Sequence, residues 1–456
     1  MLFHRSALSR ASLSLFLIAI ATLAAPIVGA ENWHYALEIA PNMADIRVEV
    51  CTNELAQNLI TLPAGARWLE RSSRRLSNND ETCLSYALKV VPEKQRYFDT
   101  NNEGQVIHTS LDTILACPKT STLASIQITI DAPSDIQVSF PGQELDSNTY
   151  RLYERPCSWS SGVLWGNLIN RHLKVGGSKV RAAIPNTVAQ ETQEKLINWL
   201  GAGLHALLLA YGDLPVPEIQ VLLFPVGPNS EAVPWGEVKR GGGDAVHLYV
   251  DQTKRLSELN ADWVLVHELS HLLHPYLVSG DAWLSEGIAS YYQNVLRARA
   301  DLLGTQDAWR KLDAGFQRGL KQFEPSVRLL ENTRSMMRNR QYMRVYWSGA
   351  AIALVADVEL RRQSNGGQSL DSLLKQIASC CLPTSKRRMR ARDLIERLDS
   401  FSKTTIFSQL YDRYVMQPRF PELESTYAAL GIKRHAAGLD FAQSGRSLRD
   451  AIMRGD

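Results

Sequence analysis

The hydrophobic positions change period along the chain. Between residue 33 and about 165 they alternate. Ile46-Arg47-Val48-Glu49-Val50 and Ile126-Gln127-Ile128-Thr129-Ile130 each put apolar side chains on one face, and turn-forming residues separate the runs. That texture predicts an antiparallel, β-sandwich-like N-terminal domain over 31–165, with no clustering of catalytic residue types. From about residue 166 the pattern is mixed. It predicts a strand over 179–184, a helix over 187–211 stopped by Gly212-Asp213 and Pro215, a buried strand over 219–224 and another over 245–250. Helical periodicity then takes over. Helices are predicted from Asn260 or Asp262 to Pro275, over 282–303, within 309–340, over 346–360 before a Gly366-Gly367 turn, and over 370–378 and 391–398. The reading is an α+β chain with a second domain over 166–303, a helical C-terminal domain over 304–433 and a polar, poorly packed tail over 434–456.

Composition adjusts this picture in three places. With 45% hydrophobic and 21% charged residues, the 456-residue chain has the balance of a globular protein and ample length for a large core. Residues 1–30 read as a cleaved secretory signal peptide. Arg5 and Arg10 form the basic region, 13–23 the apolar core, and Val28-Gly29-Ala30 the small-residue cleavage site. No later stretch is long enough for a membrane span, so the mature chain is expected to be exported, periplasmic or secreted. Cleavage would leave 48 basic against 47 acidic residues, a balance with no footprint for nucleic acid. The basic cluster Lys386, Arg387, Arg388, Arg390 and Arg392 reads as a solvated face.

All six cysteines follow the signal segment, as suits an oxidising compartment. Proximity along the chain pairs Cys51 with Cys83 and Cys117 with Cys157. Cys380 and Cys381 either form a vicinal disulfide or stay free. No C-x-x-C occurs, which argues against a cysteine-based metal site. The sequence carries no signal of oligomeric state.

The chemistry concentrates in His267-Glu268-Leu269-Ser270-His271, an H-E-x-x-H motif. Two histidines four apart lie about one helical turn apart on the same face and can reach one metal ion. With His267 at zero, His271 falls at about 40° and Glu268 at about 100°, while Leu265, Val266, Leu269, Leu272 and Leu273 occupy about 140–260°. The apolar face is thus predicted to be buried and the three polar groups to face a cleft. His274 shares the azimuth of His267 but would stand about 10 Å further along a straight helix, too far for a shared ion. The extended motif with a third histidine would need one at position 277, which is Leu277. Glu286, in Trp283-Leu284-Ser285-Glu286-Gly287, is read as the third ligand. Gly287 would let its helix approach another closely enough for Glu286 to reach the metal. Zinc, one ion per chain, held by His267, His271 and Glu286, keeps a fourth position open, with Glu268 as general base.

Several stretches resemble the gluzincin-type zinc aminopeptidases. The chain is most similar to the glycyl aminopeptidase family and more distantly to the leucyl and alanyl aminopeptidases. The resemblance spans about 219–433 and rests on H-E-L-S-H, W-L-S-E-G-I-A-S-Y-Y at 283–292, V-Y-W-S-G-A at 345–350, and L-Y-D-R-Y-V at 410–415 before A-A-L-G-I. It implies a thermolysin-like zinc peptidase domain and a peptide or protein substrate. It also implies that Tyr346, three residues before Gly349, donates a hydrogen bond to the oxyanion; Ser348 stands where the family has lysine. Gly242, Gly243 and Asp244 resemble in placement a Gly-rich strand that pairs with substrate and binds its N-terminal amine, with Asp244 in place of a glutamate. No PDZ-like region follows the helical domain.

The expected function is that of an exported zinc metallopeptidase, first of all an aminopeptidase. Two other readings use the same residues: a zinc endopeptidase with the same centre, and a non-catalytic protein that holds peptides or a partner in a peptidase-like cleft. Retention of His267, Glu268, His271 and Glu286 together weighs against the last.

Overall fold

The computed structural model describes residues 31–52, 60–63, 66–68, 75–76, 82–90, 106–119, 123–381 and 388–455. The signal-peptide segment lies outside these residues, as do Lys386 and Arg387 of the basic cluster.

The N-terminal region is β-rich, as the alternation predicts. Its main sheet runs through Glu31–Ile39, Asp45–Thr52 and Thr82–Lys89 on one side and Leu123–Asp131 and Thr149–Leu152 on the other. The inward positions Trp33, Tyr35, Leu37, Val48, Val50, Ile126 and Ile128 form one buried core with Trp159, Val163 and Trp165. One expectation changes: Glu31–Ile39 pairs in parallel with Leu123–Asp131, Tyr35 opposite Ile128, so this sheet is not purely antiparallel. Alternation has period two in both kinds of pairing and cannot tell them apart. The disulfides are Cys51–Cys83, Cys117–Cys157 and the vicinal Cys380–Cys381.

The middle region is built on a five-stranded mixed sheet. Its order is Leu168–Val175, Ser178–Pro185, Glu218–Pro225, Asp244–Val250 and, at the edge, Trp235–Arg240. Helix Gln190–Tyr211 packs against one face, and Gly212 takes the left-handed conformation that ends it. The edge strand runs antiparallel to Asp244–Val250, with Glu237 opposite His247; among the described residues no strand pairs with its outer side, where the Val238 amide donates to the Glu268 carboxylate.

The rest is helical: Ala282–Arg299, Thr305–Lys321, Leu329–Asn339, Tyr342–Gln363, Leu370–Cys381 and Ala391–Ser402. One continuous apolar cluster joins these helices to the sheet, from Val180 to Met453. The terminal segment corrects the expectation of a poorly packed tail. Hairpin Ile432–His435/Gly438–Phe441 leads into helix Arg446–Arg454, whose Ile452 and Met453 are buried. The Arg299 guanidinium donates to the Ile452 carbonyl at 2.9 Å. No helix among the described residues is long and apolar enough to cross a membrane.

Candidate active site

Three helices and one strand carry the polar side chains of the site. The histidine helix, Val264–Ser270, begins where Asp262 accepts the Val264 amide at 2.7 Å, and continues as a tighter turn over His271–Leu273. Leu265, Leu269, Leu272 and Leu273 are buried in the main core. The glutamate helix, Ala282–Arg299, carries Glu286 in its second turn, and the tyrosine helix, Tyr342–Gln363, carries Tyr346.

The donor atoms of His267, His271 and Glu286 lie within 4.8 Å of one another. Glu286 Oε2 is 3.2 Å from His267 Nε2 and 3.6 Å from His271 Nε2. Ligand atoms about 2.1 Å from a tetrahedral ion stand about 3.4 Å apart, so the spacing suits zinc. The outer ring nitrogens are engaged as well: His267 Nδ1 lies 2.8 Å from Gln293 Oε1 and His271 Nδ1 3.0 Å from Ser285 Oγ. With those Nδ1–H groups directed outward, two imidazole lone pairs and a carboxylate converge on one point. A proton on His267 Nε2 can satisfy one of these contacts; a divalent cation satisfies all three at once. The residues therefore fit a two-histidine, one-glutamate zinc centre, the donor set of known catalytic zinc sites.

The protein's own groups shift one another strongly here. Burial pushes His271 down to about 4. Burial works the same way on His267, but Glu286, Glu268 and Gln293 outweigh it and raise it. Burial would also raise Glu286; the two histidines and the Tyr346 hydroxyl overcome it and hold the carboxyl below its usual range. Glu268 is pushed up to about 7, first by burial, with His267 opposing and Glu286 and Glu237 adding to the rise. Tyr346 is raised by burial and by the neighbouring Glu286 and Glu268 carboxylates, which keeps its phenol protonated. It hydrogen-bonds Glu286, and its ring lies nearly parallel to that of His267, 6.1 Å away.

The structure thus brings His267, Glu268, His271, Glu286 and Tyr346 together on one cleft of about 1250 Å³. Gly242, Gly243 and Asp244 do not line it. A Cβ on Gly243 would meet Gly142 and the Trp159 ring, and Gly242 also abuts Trp159, so the three-glycine turn serves contact with the N-terminal region. Asp244 is paired with Arg240 instead, Oδ1 to Nε at 2.9 Å. The strand that does line the cleft is Trp235–Arg240, just before the glycines and unrecognised in the sequence reading. A Cβ on its Gly236 would stand 2.5 Å from Val264 Cγ1 and 2.8 Å from Glu268 Cγ, so only glycine lets the strand lie against the histidine helix. Glu237 also lines the cleft. Burial works to raise it, yet His247 and Lys239 hold it at about 2.

The cleft wall carries unusually exposed apolar side chains. Trp235 is 47% exposed, Trp263 45% and Met337 79%. The Trp263 ring stands edge-on to His267 at 5.3 Å. His274 is outside the donor set and lies behind Ser285.

No family sequence model matches the chain, and no curated protein matches it in sequence. Solved structures do match. An aminopeptidase N family protein from Idiomarina loihiensis superposes with a TM-score of 0.62 at 13% identity, over 88% of this chain and 78% of that one. An M1 zinc metallopeptidase from Deinococcus radiodurans, in a substituted form bound to a Tyr-Ser-Ala substrate, gives 0.53 at 18% identity, over 86% and 96%. Yeast LTA4 hydrolase in complex with bestatin gives 0.53 at 13% identity, over 86% and 68%. At these identities the likeness establishes a shared fold: the chain folds like the M1 zinc aminopeptidases.

Proposed function

We propose that this chain is an exported zinc peptidase with His267, His271 and Glu286 as the metal ligands. The observation that carries the reading is the convergence of two imidazole lone pairs and the Glu286 carboxylate, with Glu268 and Tyr346 beside them. A bound zinc ion would supply Lewis-acid polarisation of the scissile carbonyl and acidify water. Glu268, buried and raised toward neutrality, takes the proton of the attacking water and returns it to the leaving amine. Tyr346, held as a neutral phenol, donates a hydrogen bond to the oxygen of the tetrahedral intermediate. Beyond the Val238 amide, which Glu268 engages, the outer side of the edge strand Trp235–Arg240 offers backbone groups to an extended peptide. The cleft exceeds the ~300–1,000 Å³ usual for small-molecule sites, as a peptide substrate requires.

The first reading is an aminopeptidase, by likeness of fold and motif. The pairing of Asp244 with Arg240, away from the cleft lining, speaks against Asp244 as the group that binds the substrate amine. Glu237, ionised and on the cleft-lining strand, is the carboxylate that takes its place in this reading. The second reading, an endopeptidase, is favoured by the Asp244–Arg240 pair and by the Lys239 ammonium 2.9 Å from Glu237, which answers part of its charge. Matched free and N-acetylated peptides separate the two. An aminopeptidase cleaves only the free series and loses that preference in Glu237→Gln; an endopeptidase cleaves both. Export is supported by three disulfides, which persist in oxidising compartments. The exposed Trp263 beside His267, with Trp235 and Met337 on the same cleft, favours substrates with large apolar side chains next to the scissile bond.

A further inference from the structure

We infer that His274 is a positioning residue that sets the tautomer of His271 through Ser285; the inference rests on the zinc reading of the site. The Pro275 carbonyl can only accept, and His274 Nδ1 lies 2.7 Å from it, so that nitrogen carries the proton. His274 is 1% exposed, and its Nε2 is then an acceptor, 3.2 Å from Ser285 Oγ. The serine has one hydrogen, and it goes to His274. The serine oxygen therefore accepts from His271 Nδ1–H at 3.0 Å. His271 Nε2 is left with a bare lone pair facing the Glu286 carboxylate, as a ligand must be. Reversing the direction would set the His274 Nδ1 lone pair against the carbonyl lone pairs at 2.7 Å. With neutral rings, one proton arrangement satisfies the three contacts that link Pro275, His274, Ser285 and His271.

The chain of bonds exists because the histidine helix does not run on. After Ser270 it tightens over His271–Leu273, and His274 itself is extended, φ −131° and ψ 163°, which swings its ring behind Ser285. Arg240 holds that bend. One of its terminal nitrogens donates to the His271 carbonyl at 2.9 Å and to the His274 carbonyl at 2.7 Å, while Asp244 anchors its Nε. Asp244 is thereby tied, through Arg240, to the bend that carries His274.

The test uses the full mature chain labelled with ¹⁵N-histidine, with the His271 signal assigned by its loss in His271→Gln. In the metal-free wild type, His271 should be protonated at Nδ1 and bare at Nε2. Ser285→Val and His274→Phe should release that preference and weaken zinc binding about 10–100-fold in chelator competition. Ser285→Thr has the shape of the valine variant but keeps the hydroxyl, and should stay within about threefold of wild type. Equal zinc affinity in the Val and Thr variants, or a wild-type His271 protonated at Nε2, overturns the inference. A wild type that holds no zinc would overturn the metal reading, and the tautomer signal would still decide the relay.

Discussion

Gly287 and Gly349 meet backbone to backbone where the glutamate and tyrosine helices cross. A Cβ on Gly287 would stand 2.5 Å from both Cα and the carbonyl carbon of Gly349, and one on Gly349 would collide with the Trp283 carbonyl oxygen. The two glycines let the helix axes close in, and each lies within one turn of a site residue, Glu286 and Tyr346. Replacing Gly349 with alanine is expected to cost about 1–3 kcal/mol of stability, as overpacking does. It should also weaken zinc binding, because Glu286 is carried away from the histidines. Urea melts and chelator competition on the same protein check both; an unchanged zinc affinity would show that the crossing does not position Glu286.

Tyr346 touches both Glu286 and His267, so it could be a support or a participant. As a donor to the developing oxyanion, its loss in Tyr346→Phe should lower kcat by about 10²–10³, with one zinc ion per chain still bound. Loss of zinc in the variant would assign it a supporting role instead.

The raised Glu268 carboxyl makes a pH prediction for the metal-free protein. In the native state it ionises near 7, while in the unfolded chain it has its ordinary value of 4.5. Between those limits the native state holds more protons, so this group's contribution to stability is full below about 4.5 and is lost as pH rises to 7. Metal-free wild type should therefore lose melting temperature relative to Glu268→Gln as pH rises from 5 to 7. Parallel curves for the two proteins would mean that Glu268 is not shifted.

Trp263 stands edge-on to His267, with almost half its surface in solvent, and Trp235 is as exposed on the neighbouring strand. Trp263→Ala should raise KM for peptides with aromatic or large aliphatic residues at the scissile bond. KM for alanine and glycine peptides should hardly move. An equal rise for both sets would assign the ring a structural role at the start of the histidine helix.

The readable parts of this molecule are those with local causes. His267, Glu268 and His271 share one turn, and Glu286 follows on the next long helix, so spacing alone brings them near one another. Gly287 could be read as a helix-approach glycine, although its partner Gly349 lies 62 residues away. What escaped the reading depends on distant contacts. The three glycines suggest a ligand approaching the backbone, yet what approaches is Trp159. Trp235–Arg240 lacks clean alternation because one side of it faces a cleft, and Gly236 is there to fit against the histidine helix. The arginine-rich stretch 446–454 looks like a solvated tail until Ile452 and Met453 find the glutamate helix. His274 looks like a helix-end histidine on a straight helix, and only the tightened turn brings it to Ser285.

The central claim is that Glu268 moves the proton at a zinc site built by its neighbours. It is tested most directly by measuring peptide hydrolysis by zinc-loaded Glu268→Gln beside wild type, with metal content determined on both. One zinc per chain is expected in each protein, with a rate lower by about 10²–10⁴ in the variant. Hydrolysis at the wild-type rate by the zinc-loaded variant would contradict it.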